Sequence, residues 1–136
     1  MAHQKSDIQS LRCPCGAEPR YIDCCGRFLD NGEMPDTAEI LMRSRYTAYT
    51  LHREKYLLAT WHPSTCPSSL ELTQSPTPHW LGLTVKRHLQ SDTDHAIVEF
   101  VARYKLNGKA HRLHEISRFI RENHAWRYID GDILEN

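Results

Sequence analysis

The chain has 136 residues, enough for one domain with a short appendage. Its 17 basic and 17 acidic residues balance, which argues against nucleic acid as a partner, because a dedicated binder carries a basic excess to replace phosphate counterions. Hydrophobic residues make up 40%, sufficient for a packed core, but no apolar run approaches the roughly 18 residues of a membrane span and Met1–Asp7 has no apolar signal stretch, so no membrane partner and a cytoplasmic location are expected.

The first chemistry in chain order is Cys13-Pro14-Cys15-Gly16, followed eight residues later by Cys24-Cys25. Four of the five cysteines therefore fall in one short stretch. In a reducing compartment such a cluster reads as a metal site rather than a disulfide framework. Cys13, Cys15, Cys24 and Cys25 offer four soft donors, the set zinc takes in a tetrahedron. Because all four positions are filled by protein, the predicted zinc is structural; a catalytic ion would need an open position. Segment 8–32 is too short to own a core and needs such a staple to be ordered.

Residues 36–136 read as an α+β unit. Pro35-Asp36-Thr37 is a helix-start signal, and Ile40, Leu41, Ser44, Ala48 and Leu51 then recur at helical spacing. A second helix is predicted from Glu54 to Thr60, ended by Trp61-His62-Pro63. Pro63, Pro67, Pro76 and Pro78 punctuate the loop that follows. From Trp80 the period changes to two, giving strands at Trp80–Gln90, Ala96–Leu106, Lys109–Arg121 and Ala125–Asp130. Asn107-Gly108 is a strong two-residue hairpin signal, and Asn123-His124 a weaker one. Helices followed by an antiparallel meander define an α+β layer fold.

The cysteine segment, read as Cys13-Pro14-Cys15-Gly16 and Cys24-Cys25-Gly26, resembles the SEC-C motif, the small zinc-binding module at the end of the SecA translocation ATPase. In SecA that module contacts partners, so the resemblance implies a protein partner through the zinc segment. Its loop is lysine-rich in SecA, whereas Ala17–Asp23 here holds one Arg and two acids. Together with Arg43-Ser44-Arg45-Tyr46, Thr60-Trp61-His62-Pro63, Trp80-Leu81-Gly82-Leu83, Phe100–Tyr104, Ser117-Arg118-Phe119 and Tyr128–Gly131, the chain is similar to the uncharacterised bacterial YchJ-type family. That resemblance implies a nuclear-transport-factor-2-like cone at 36–136, a curved antiparallel sheet wrapped on N-terminal helices around a pocket, with the zinc knuckle at 8–32. No reaction follows from it, since one fold hosts many chemistries.

Register narrows the pocket. A two-residue turn at Asn107-Gly108 pairs Tyr104 with His111, Ala102 with Leu113, Phe100 with Glu115 and Val98 with Ser117, and these share the more apolar face. A like turn at Asn123-His124 pairs Phe119 with Tyr128 and Ser117 with Asp130, placing two carboxylates, Glu115 and Asp130, on the inner face. Arg45, on the shoulder of the first helix, is expected to reach inward. It has two open roles: an ion pair with Glu115 that fixes helix to sheet, or a ligand anchor beside a general base. His62 either caps its helix or lines the cone mouth as an acid–base group. Cys66 has no evident activating partner and reads as inert. Trp80, Trp126, Tyr46 and Tyr49 are core rings or a stacking surface.

Two functions follow. In one, the zinc knuckle makes the protein an interaction module, with the outer strand face (Glu99, Arg103, Arg112, Arg118) available for a homodimer. In the other, a small molecule binds or reacts in the cone. The second predicts an open cavity of a few hundred Å³ and no Arg45–Glu115 pair.

Overall fold

Thr37 starts the principal helix as the sequence signal predicts. Its hydroxyl accepts a hydrogen bond from the Ile40 N–H at 3.1 Å, satisfying one of the free donors of the first turn. In the computed structural model, which describes residues 8–134, helix α2 runs Ala38–Thr50 and is preceded by the single-turn helix α1, Gly26–Leu29. Helix α2 ends with His52 in the left-handed conformation (φ 58°), and the Arg53 N–H closes onto the Ala48 carbonyl at 2.8 Å. Helix α3, Glu54–Ala59, turns back along α2; the Ser44 and Tyr56 hydroxyls join the two at 2.6 Å.

Four strands follow: β1 His79–Asp92, β2 His95–Leu106, β3 Lys109–Glu122 and β4 Ala125–Ile133. They form one antiparallel sheet in the order β1-β2-β3-β4. Both expected hairpins are present. Asn107 and Gly108 sit at φ 53° and 80°, Asn123 and His124 at φ 52° and 67°, the paired positive values of a two-residue turn matched to strand twist. The β2–β3 register is the one the first turn dictates: Tyr104 opposite His111, Phe100 opposite Glu115 and Val98 opposite Ser117.

The β3–β4 register departs from expectation. Phe119 faces Tyr128 as predicted, but an extra residue on β4 follows, so Arg118 faces Asp130 and Ser117 faces Gly131. Inserting one residue into a ladder turns the strand over beyond that point. Asp130 is therefore exposed on the outer face, where the Arg118 guanidinium holds it at 2.6 Å and Asp132 at 2.8 Å. The expected inner-face pairing of Ser117 with Asp130 is corrected accordingly.

The core lies between α2 and the inner sheet face. Leu41, Ala48 and Val98 are fully buried, with Phe100, Ala102, Phe119 and Trp126 closing over them. Burial of this apolar surface is the main favourable term in folding. Trp126 also ties β4 to the start of α2, its indole N–H bonding the Asp36 carbonyl at 3.2 Å. The chain after α3 runs beside β4, with the Tyr128 N–H on the Thr60 carbonyl and the His62 N–H on the Tyr128 carbonyl at 2.9 and 2.7 Å.

Candidate functional site

The cysteine segment is built by a short doubled-back turn. Arg12 and Arg20 pair across it, the Cys13 N–H bonds the Pro19 carbonyl, and the Gly16 N–H closes on the Cys13 carbonyl at 3.0 Å. Gly16 stands at φ +89°, a conformation that side chains resist, so the turn between the two cysteine pairs depends on glycine. A 3₁₀ turn at Tyr21–Asp23 then delivers Cys24 and Cys25 to the start of α1.

These turns converge the four sulfurs to within 4.8 Å of one another. The Cys15 and Cys24 sulfurs are 3.7 Å apart. A tetrahedron with metal–sulfur bonds of about 2.3 Å has edges of ~3.8 Å, so the spacing suits a zinc-sized ion. Three of the four cysteines are buried, and helix α2 supplies an outer contact: the Thr47 hydroxyl donates to the Cys25 sulfur at 3.2 Å. The Arg43 guanidinium donates to the Cys15 carbonyl at 3.1 Å. Such outer contacts fix ligand orientation. Without a cation the thiols share protons unevenly. Hydrogen bonds from Cys15 and Cys25 pull the Cys13 thiol down, burial pushes Cys24 up, and the bond to Cys13 pushes Cys25 upward too. A divalent cation relieves that conflict by taking all four as thiolates.

On the opposite flank of α2 lies a cavity of about 260 Å³. Aromatic side chains, Tyr46, Tyr49, Trp61, Trp80, Phe100 and Phe119 among them, line it. Two charged groups share the lining, Arg45 and Glu115. They do not form the ion pair the sequence offered as one role. Arg45, 5% exposed, spends one terminal nitrogen on the Leu57 carbonyl at 2.8 Å and the Thr60 hydroxyl at 2.7 Å. Its guanidinium lies over Trp61 and Tyr128, 5.0 and 4.8 Å from the ring centroids. Aromatic faces offset part of the cost of taking this cation out of water. Burial lowers its pKa, but a guanidinium stays charged.

Glu115 is seated by one oxygen, which accepts from Ser117 Oγ at 2.7 Å and from the Tyr128 hydroxyl at 3.2 Å. Burial and the adjacent carboxylate push the Tyr128 phenol upward, so it stays a donor. The seat depends on Gly131: a Cβ there would overlap Glu115 Oε2. Of the four pocket candidates, then, the structure brings Arg45 and Glu115 together at the cavity and leaves the other two outside. Asp130 is on the outer face. His62 sits outside the cavity lining, its ring held between Ser64 Oγ at 2.7 Å and Glu122 at 3.1 Å, and among the described residues its side chain caps no helix carbonyl. Residues that sequence reasoning did not assign to the site are Trp61 and Tyr128, an edge-on ring pair against which Arg45 packs, and Thr47 beside the cysteines. The Thr47 position, two residues after Arg45 on the same helix, is the one signal that could have pointed it at the cysteine side.

The comparisons with known proteins agree with this architecture. Residues 37–131 match the family model described as YchJ, middle NTF2-like domain. The chain belongs to the YchJ family. Among its relatives, the UPF0225 protein of Ralstonia nicotianae is 56% identical over 131 residues, covering 89% of this chain and 90% of that one. The UPF0225 protein of Bordetella pertussis is 52% identical over 133 residues, covering 96% and 98%. Two solved structures share the fold. A SEC-C motif containing protein from Rhodopseudomonas palustris aligns with a TM-score of 0.83 at 29% identity, covering 92% of this chain and all of its own length. A second, from Psychrobacter arcticus, aligns with a TM-score of 0.73 at 27% identity, covering 95% of this chain and 86% of its own. The YchJ family assignment and the SEC-C neighbours bear out the α+β cone and the cysteine motif read from the sequence. Among the described residues no helix is long and apolar enough to cross a membrane.

Proposed function

We propose that this member of the YchJ family binds a small molecule in the aromatic cavity, and that Cys13, Cys15, Cys24 and Cys25 hold a structural zinc ion that fixes the helix forming one cavity wall. The observation that supports the pocket is a lined cavity of about 260 Å³ in which buried Arg45 bonds Leu57 and Thr60 while Glu115 bonds Ser117 and Tyr128, rather than each other. A fold optimised only for packing would fill that volume or join those charges, because voids and unpaired buried charges both destabilise. The zinc role is supported by the donor chemistry and the sulfur spacing. Binding to the native state raises apparent stability by mass action. A thermal-shift screen of small metabolites on zinc-supplied, reduced protein should therefore find stabilising compounds. The same compounds should fail on Leu113→Trp, which projects a large ring into the cavity from β3. Hits that stabilise the filled variant equally would reject the pocket.

A second reading is favoured by three exposed apolar side chains on or beside the cysteine segment, Leu11, Ile22 and Met34, 56%, 39% and 54% accessible. In this reading the zinc segment also docks a protein partner. A photo-crosslinker placed at Ile22 in cells should then give one discrete adduct that Leu11→Glu abolishes. Diffuse labelling that Leu11→Glu leaves unchanged would count against it.

A further inference from the structure

Resting on the pocket reading above, we infer the ligand's chemical class: a small, flat, uncharged aromatic molecule bearing a donor–acceptor head such as a carboxamide. The head's carbonyl oxygen would accept from Arg45, and its N–H would donate to Glu115.

The size limit comes from the cavity. An apolar cavity of roughly 150 Å³ accommodates one benzene ring. At about 260 Å³ this one holds a ring with a polar head and little more. The flatness comes from the wall. Trp80 contacts Tyr46 and Tyr49 at centroid separations of 5.8 and 6.2 Å, and Phe119 meets Tyr128 edge-on at 5.8 Å. These rings present planar apolar surfaces on several sides, which suit an aromatic guest.

The head group follows from the two charges. Arg45 uses only one of its terminal nitrogens on protein acceptors among the described residues, so donors are left over at the cavity. Glu115 uses only one carboxylate oxygen on Ser117 and Tyr128, so an acceptor is left over. Both residues line the same space, and together they are neutral. A carboxylate guest would satisfy Arg45 but confront Glu115 in a poorly screened space. An ammonium guest would satisfy Glu115 but confront Arg45. A neutral head with both a donor and an acceptor satisfies each without adding charge. It also uses polar groups that would reject a guest lacking them.

The test compares four probes of one size on zinc-supplied protein: benzamide, benzoate, benzylammonium and toluene. Binding is followed by the amide and indole resonances of Trp61 and Trp80. Benzamide should bind at least ten-fold more tightly than each of the other three. Replacing Glu115→Gln makes the site net positive while keeping its shape and an acceptor for Ser117, so benzoate should then overtake benzylammonium by at least ten-fold. Circular dichroism and a thermal melt check that the variant is folded. Benzoate binding best to the unaltered protein would overturn the inference in favour of an anion site. Toluene equalling benzamide would overturn it by showing that the charges contribute nothing, while leaving the pocket itself in place. No saturable shift with any of the four would overturn the pocket reading, and this inference with it.

Discussion

At the scale of single residues, the molecule holds several groups where local preference and structure disagree. His124 is one: it occupies the second position of a two-residue turn at φ 67°, where its Cβ is crowded. Replacing it by glycine should stabilise the fold by about 0.5–1 kcal/mol, since the relief of strain exceeds the extra freedom glycine gives the unfolded chain. A urea midpoint that falls instead would show that the His124 ring makes a compensating contact. Glu115 is the opposite case, a group placed well by its neighbours. Ser117, Tyr128 and the bare backbone at Gly131 together seat one oxygen. Gly131→Ala should dislodge that carboxylate and cost on the order of 1–3 kcal/mol, the usual scale of overpacking, seen as a lowered urea midpoint with an unchanged slope. These residues also mark how far the sequence could be read. The Asn107-Gly108 turn fixed the β2–β3 register, and from it the position of Glu115 followed. The bulge after Tyr128 leaves no pattern of its own, because one inserted residue resembles ordinary alternation, and so alternation alone puts Asp130 on the inner face. Arg45 was correctly sent inward, but its partners were beyond reach: backbone carbonyls and ring faces have no sequence signature.

At the scale of elements, α2 is the shared wall of two sites. Thr47 meets the cysteines while Met42, Arg45, Tyr46 and Tyr49 line the cavity. Removing the Thr47 hydroxyl with Thr47→Val keeps the side-chain shape and deletes the bond to Cys25. Metal affinity should fall by about 10–100-fold, the usual effect of losing an outer contact, measured by competition with a chromogenic chelator. An unchanged affinity would mean that the hydroxyl is only a packing neighbour. The cysteine segment is also clamped to the helices by charge. Asp30 accepts from Tyr21 and from Arg53, each at 2.8 Å. Burial pushes the Asp30 carboxyl upward, but the hydrogen bonds from Arg53 and Tyr21 outweigh it and hold it below the ordinary carboxylate range. A carboxylate depressed by folding contributes stability that is fully present above its unfolded pKa of about 3.9 and lost as pH falls through the folded value. The clamp should therefore weaken as pH drops below about 4, and Asp30→Asn should flatten part of that acid limb. The check is a series of urea midpoints from about pH 6 to pH 2; an identical acid limb in the variant would rule the clamp out. Helices α2 and α3 and the four strands were legible from period and turn signals, whereas α1, a single turn, is too short to show a period. The clamp was not, since Tyr21, Asp30 and Arg53 lie far apart in the chain.

At the scale of the whole molecule, the short cysteine segment is not a pendant. Cys13, Cys15, Cys25 and Tyr21 belong to one continuous core with Leu41, Met42, Val98 and Phe119. Metal removal should thus be felt by the sheet as well as by the segment. Stripping the proposed metal under reducing conditions should lower the melting temperature by about 10 °C or more, corresponding to a loss on the order of 3 kcal/mol, in a single transition read equally by far-UV and tryptophan signals. Two separate transitions would show that the segment folds alone.

Because one helix is gripped by sulfur on its first side and bounds the cavity with its second, whatever disturbs the grip must reshape the hollow. Oxidants that strip the thiolates would then deafen the protein to its guest, without touching a single residue that the guest meets. By reciprocity a seated guest should delay surrender of the ion to a chelator. The metal's influence would in that case extend beyond cohesion to a veto over occupancy.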